Sequence, residues 1–235
     1  MEITKVHASN VNAIENSSGC KIHSLYLRIT NWKSVISEFE THISDTSWIG
    51  KLNDKTAQIS FRANVERTIN KIVNDIIAKV SSSVNKDIGE YLISYTAQCA
   101  LEKEYRHQKI PLAELWKEKV SGNPGFDFHT ISSSNYLIFG EAKFSLSVTP
   151  REKALNQIEE FIGNNKDSGE LIWLKPFLDE TTLANITNNN EKGYTAAFSF
   201  NNESIDITFT NALTSSALKE ITKHKELYLI AIEIC

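Results

Sequence analysis

Cysteine is scarce in this 235-residue chain: Cys20, Cys99 and Cys235 are far apart and odd in number. With no CxxC pair and no Cys/His cluster, there is material for neither a zinc knuckle nor a disulfide framework. Reduced thiols, as in the cytosol, are the expectation. Long apolar runs are also missing, and no stretch approaches the ~20 residues that a membrane-spanning helix needs. The N-terminal stretch MEITKVHASN lacks the apolar centre of a secretory signal. A soluble, cytoplasmic protein without a membrane partner is therefore expected. Positive charge is in short supply too: 25 Lys and Arg stand against 29 Asp and Glu, for a net charge of -4. That excludes a surface coated by nucleic acid through charge alone, but leaves room for a local basic groove or a basic partner. Internal repeats, low-complexity blocks and linkers are absent. With 41% hydrophobic and 23% charged residues, the chain reads as one folded domain over residues 1–235.

Residues 21–29 (KIHSLYLRI) alternate and predict a strand. In residues 31–44, Trp32, Val35, Ile36 and Phe39 recur at helical spacing. A polar loop is expected between Asp45 and Ala57, interrupted by Trp48 and Ile49. From Phe61 to Val80 one apolar stripe marks a long helix. Asp87 can cap a second helix that runs to about Arg106 and carries Glu90 near its start. Turn chemistry follows at Gly122–Asn–Pro–Gly. Residues 126–132 (FDFHTIS) and 136–144 (YLIFGEAKF) then read as two strands of an antiparallel hairpin. A helix begins at Thr149 and Pro150 and reaches about Ile162. Residues 171–175 (LIWLK) read as a short buried strand, which implies a parallel pair through a crossover. The remainder predicts strands at 194–200 and 205–211, a helix over 212–224 and a last strand at 227–234. The sum is an α/β fold with helices packed on a mixed sheet.

Acids and a lysine inside the apolar hairpin strands require an explanation, because charge is costly there unless paired or metal-bound. Residues two apart on a strand share a face, so Glu141 and Lys143 project together. Asp127, near the start of the neighbouring strand, can lie opposite their end. Two carboxylates and an ammonium would converge at a sheet edge. Hard oxygen ligands of this kind suit Mg²⁺, with water completing its coordination. Such a centre activates water against a phosphodiester, and Lys143 would orient that water or stabilise the developing negative charge.

The run Gly125-Phe-Asp-Phe followed by Ile138-Phe-Gly-Glu-Ala-Lys143 resembles the core of the PD-(D/E)xK nuclease superfamily. Asp127 matches the first acid, although Phe126 replaces the usual proline, and Glu141 and Lys143 match the E-x-K. Glu90, in IGEYL, is similar to the glutamate that many members carry on an upstream helix. Gln157, in NQIEEF, resembles the glutamine that many place on the following helix. The resemblance covers residues 87–175 as a catalytic core. It implies a restriction-endonuclease-like mixed sheet flanked by helices, with Glu90, Asp127, Glu141, Lys143 and Gln157 at the active site. Asp127, Glu141 and Glu90 would hold Mg²⁺, or Mn²⁺ in its place. More specifically, the GE-x-L, G-x-D and GEAK succession is similar to the HamA-like nuclease subunit of the Hachiman anti-phage defence system. That implies DNA as substrate and a superfamily 2 helicase (HamB-like) as partner.

Each residue also has an ordinary role. An E-x-K pair can be a solvated edge pair of little energetic weight, but the apolar flanks of Glu141 and Lys143 argue against it. A glutamate in the first helical turn is what the macrodipole favours regardless of catalysis. Gln157 can be an exposed helical polar residue, and His129 a satisfied structural histidine. The basic residues Lys103, Arg106, His107, Lys109, Lys117 and Lys119 are diluted by Glu102, Glu104, Glu114 and Glu118, which fits solvated faces better than a phosphate track. The four tryptophans fit core or interface positions, with the Trp48–Ile49 loop as the candidate partner contact. The function expected is a Mg²⁺-dependent DNA nuclease subunit in phage defence, acting with a helicase. The rivals are a stand-alone restriction or repair endonuclease and a nuclease-fold interaction subunit that has lost its chemistry.

Overall fold

The computed structural model describes residues 3–7, 19–80, 83–117, 125–201 and 203–235. Its centre is a sheet in the order β1-β2-β7-β6-β5-β4-β3. The strands are β1 (Ile3–His7), β2 (Lys21–Ile29), β3 (Gln108–Lys109), β4 (Phe128–Ile131), β5 (Leu137–Lys143), β6 (Lys192–Ser199) and β7 (Glu226–Ile234). β2, β7, β6 and β5 run parallel, whereas β1, β4 and β3 are antiparallel to their neighbours. Parallel strands must be covered on both faces, and every residue of β6 is buried.

The helices supply that cover. α1 is Trp32–Ser44, α2 Ser47–Lys51, α3 Lys55–Lys71, α4 Lys86–Tyr105, α5 Ala113–Trp116 and α6 Arg151–Gly163. α7 is Lys166–Leu174, α8 Glu180–Asn189, α9 Ile205–Leu213 and α10 Leu218–Ile221. Strand alternation on β5 sends Gly140 and Ala142 to one side and Phe139, Glu141 and Lys143 to the other. α4 lies on the Gly140 side, buried along most of its length from Ile88 to Leu101. α6 lies on the Phe139 side, where Phe161 packs edge-on against Phe126, and Phe126 against Phe139.

The mixed sheet and the hairpin are as expected. Phe128 pairs with Gly140 and Ile131 with Leu137. The turn is closed by Asn135 in the left-handed region at φ 59, a conformation asparagine tolerates. Strand 21–29 and helix 32–44 also form at the expected positions.

Several expectations are corrected. Residues 171–174 belong to helix α7 and Lys175 opens the 3-10 turn that follows: the buried positions Asp167, Glu170 and Leu174 recur at helical spacing, while Ile172 is 76% exposed. Residues 205–211 form α9, with Thr208, Phe209 and Ala212 inward and Ile207 outward. Alternating apolar residues had imitated a strand at 205–211, and a short apolar run had done so at 171–175. The expected 212–224 helix is split between the end of α9 and α10. The expected loop after Asp45 contains α2, whose Ile49 is buried and whose Trp48 packs on Phe61 and Phe177. α3 starts at Lys55 because Asp54 accepts hydrogen bonds from the Thr56 and Ala57 amides. Asn85, rather than Asp87, caps α4. β1 and the two-residue β3 were not anticipated. Most of the 122–125 turn lies outside the described residues, as do Glu118 and Lys119.

Candidate active site

Two motif glycines place the site. A side chain at Gly140 would run into the Phe128 ring, and one at Gly89 into the Phe144 ring. The first close approach lets Phe128 lie flat across β5. The second seats the start of α4 on the residue that follows β5. Each glycine precedes an acid, so the two contacts carry Glu141 and Glu90 to the same end of the sheet.

Asp127 lies just before β4, where its amide donates to Gly140 O at 2.9 Å. Its side chain extends the ladder: the Ala142 N–H donates to Asp127 Oδ2 at 2.9 Å. The carboxylate is thereby fixed beside the backbone that joins Glu141 to Lys143. Glu141 is 1% exposed. The Lys143 ammonium donates to Glu141 Oε1, while Oε2 is buried with no hydrogen-bond partner among the described residues. Burial and the neighbouring Asp127 hold the Glu141 carboxyl well above the ordinary range, against the opposing pull of Lys143; Glu90 adds to the rise. Burial disfavours the Lys143 ammonium, yet Glu141, Asp127 and Glu90 outweigh it and raise its pKa. Glu90 and Asp127 line a cavity of about 230 Å³ with Ser94, Tyr91, Asp87 and Glu114.

Among the described residues, no three Asp, Glu, His or Cys side chains are gathered closely enough to hold a metal by themselves. Magnesium does not require this, since it is commonly held through one or two carboxylates while water and substrate phosphate fill the rest. The donor set fits: Glu141 Oε2 is a buried oxygen with no partner among the described residues, and Asp127 is a second hard oxygen donor near it.

A model of the HamA family matches residues 1–234. The chain belongs to the HamA family. HamA is a component of the Hachiman anti-phage defence system, which includes a partner. No curated protein and no solved structure matches the chain. The HamA match extends well beyond residues 87–175, on which the sequence resemblance rested. Among the described residues, no helix is long and apolar enough to cross a membrane.

In this HamA chain the structure brings Glu90, Asp127, Glu141 and Lys143 into electrostatic reach of one another. Gln157 is not joined to them. It is half-buried on α6, which packs against β5 and β6, and no hydrogen bond among the described residues ties it to Glu141 or Lys143. His129 turns to a different centre. Its Nε2 lies 2.8 Å from Glu170 Oε2, and Glu170 Oε1 accepts from Lys117 and from the Phe126 amide at 3.1 Å. Burial works against the Glu170 carboxylate, but His129 and Lys117 outweigh it and lower its pKa. This ionic knot fixes Phe126, and with it the approach of Asp127. Glu114 was missed as a site residue, having been read only as diluting nearby basic charge. Its signal was not local: α5 is placed by the Ala113 amide donating to Asp127 O at 3.4 Å, a contact no spacing rule reveals.

Proposed function

We propose that this HamA protein is the nuclease subunit of its defence system, hydrolysing DNA phosphodiesters with Mg²⁺ and working with a superfamily 2 helicase. The observation that carries the reading is the Glu141 carboxylate, enclosed beside Asp127, with one oxygen held by Lys143 and the other without a partner among the described residues. A structural ion pair would satisfy both oxygens, because an orphaned buried acceptor costs ~1–3 kcal/mol or more. Resemblance to the PD-(D/E)xK core assigns the same residues, and a restriction-endonuclease-like arrangement agrees with the mixed sheet.

Asp127 and Glu141 would hold the cation, with Glu90 assisting from α4 across the cavity. When bound, Mg²⁺ supplies an activated water and neutralises charge on the phosphate. Lys143 donates to the Glu141 carboxylate that would hold the cation, which keeps its ammonium beside that centre. It would orient the water and stabilise negative charge as the new P–O bond forms. The buried setting strengthens both effects, since charges there are poorly screened.

The test is cleavage of plasmid and linear DNA by the purified chain, alone and with its helicase, with Mg²⁺ or EDTA. Glu141→Gln is expected to abolish cleavage while the protein stays folded. Undiminished cutting by that variant would remove this site from consideration. Failure of the unmodified complex to cut DNA would favour an interaction subunit instead.

A further inference from the structure

Beside the acidic cavity lies a second one of about 340 Å³, and both are lined by Tyr91 and Glu114. Its outer wall is α3, through Asn64, Arg67, Thr68 and Lys71, with Lys117 at its edge. The four α3 positions recur at spacings of three and four, so they form one face of the helix, distinct from the buried face of Phe61 and Val65. Arg67 and Lys71 are exposed. The balance of charge therefore changes sign along one continuous groove, from Asp87, Glu90 and Asp127 with Lys86 among them at one end to Arg67 and Lys71 at the other.

The helix itself is adapted to this groove. Beyond Lys71 it widens into a π-helical turn at Ile72–Ile76, with the Ile77 amide reaching back to Ile72 O. That turn gives Ile72 to the wall of the basic cavity and Ile76 to the wall of the acidic one. Widened turns of this kind are rare and concentrate at functional sites. The chemistry needs such a neighbour, because a cleft of carboxylates alone repels a polyanion, whereas cationic side chains alongside it can take up flanking phosphates.

We propose that the groove between α3 and the α4–α5 pair carries a single nucleic-acid strand, gripped through its phosphates by Arg67 and Lys71 so that the next phosphodiester reaches Asp127 and Glu141. This rests on the nuclease reading and names the substrate form for it. Helices wall the groove on both sides, which suits one strand rather than a duplex, and Tyr91 lies half-buried where the cavities meet. Lys117 is excluded from the grip because its ammonium is committed to Glu170.

The experiment measures anisotropy of a labelled single-stranded oligonucleotide on the full-length Glu141→Gln chain, from roughly 50 to 200 mM salt. Adding Arg67→Ala and Lys71→Ala is expected to weaken binding ~10-fold or more. It should also lower the logarithmic salt slope by about 1.4, since each phosphate contact on a single strand contributes about 0.7. Lys219→Ala with Lys223→Ala, on and just after α10, should leave both readouts unchanged. In the chain with native Glu141, the α3 double variant should raise KM for cleavage more than it lowers kcat. The inference is overturned if the α3 variant binds like its parent, if the parent fails to bind at the lowest salt, or if duplex competes better than single strand. If binding responds as expected but the native chain with its helicase never cuts, the groove stands and the nuclease reading falls.

Discussion

At the scale of single residues, Glu141 and Lys143 form a buried pair whose members are not equivalent. Removing the Glu141 charge as Glu141→Gln eliminates a carboxylate disfavoured by burial and by Asp127. It should therefore melt at or above the native temperature at pH 7 while losing Mg²⁺-dependent cleavage. Lys143→Ala leaves that carboxylate without its cation, so cleavage should fall by roughly 10²–10³-fold and the melting temperature should drop as well. Cleavage assays beside thermal melts at pH 7 separate the two. His107 offers a pH-dependent prediction away from the site. The Tyr228 hydroxyl donates to Glu226, so its oxygen accepts from His107 Nε2–H at 3.0 Å, and Nδ1 accepts from Thr130 at 2.9 Å. That neutral ring is 3% exposed, and burial lowers its pKa from 6.5 to about 4. The unfolded chain takes up the proton first as pH falls, so stability is intact above 6.5 and is lost progressively toward pH 4. The loss from this group is on the order of 3 kcal/mol. His224, also lowered to about 4 by burial, adds to the same window. Melting followed from pH 7.5 to 4.5 should fall steeply in the native chain and less steeply in His107→Gln; equal slopes would remove His107 as a cause.

Among the elements, α4 and the β4–β5 hairpin do the positioning. α4 carries few apolar residues at its exposed start, yet it is anchored deep in the fold. Gln98 Nε2 donates to Ile110 O at 2.7 Å and to His129 O at 3.0 Å, tying the helix to β4 and to the segment before α5. At its N-terminal end the anchor is the Gly89–Phe144 contact. Gly89→Ala should therefore cost ~1–3 kcal/mol through overpacking and reduce cleavage by displacing Glu90. Gly50→Ala on α2, where an added methyl meets nothing within 4 Å, should be neutral or stabilise by about 0.4–1 kcal/mol. Denaturant titration of both variants tests the contrast. If Gly89→Ala matched Gly50→Ala in stability and activity, the placement of Glu90 by this contact would be wrong.

For the whole molecule, the charge balance and the packing of Trp48 bear on partnership. A chain of net charge -4 should bind bare DNA weakly at physiological salt, because affinity comes largely from cations displacing counterions. The proposed helicase partner is expected to form a stable complex that would deliver DNA and restrain cutting; co-purification and DNA affinity with and without it are the measurements. Equal degradation by the isolated chain would remove the need for such control. The Trp48–Ile49 segment, the expected partner contact, is packed into the fold rather than standing out as a loop. Ile49 is 2% exposed, and Trp48 joins Phe61, Phe177 and Trp116 in an aromatic cluster. Trp48→Ala should accordingly lower the melting temperature, by ~3–5 kcal/mol of stability if the whole ring is lost.

The sequence by itself determined the chemistry-bearing residues of the hairpin and the strands around them. Alternation is local, and an acid or lysine inside an apolar run is visible without knowing what covers it. Asp127, Glu141 and Lys143 were legible for that reason, and so was the mixed sheet. Residues 171–175 and 205–211 were not, because an apolar run of four and an alternating run of seven suit a helix as well as a strand until a neighbour covers one face. Only the tertiary structure decided which charges share an enclosure. It sent His129 to Glu170, brought Glu90 across through the Gly89–Phe144 contact, added Glu114 and left Gln157 without a bond to the site. It also laid the basic face of α3 beside the acids, since the charge of a groove is set by packing between helices far apart in sequence.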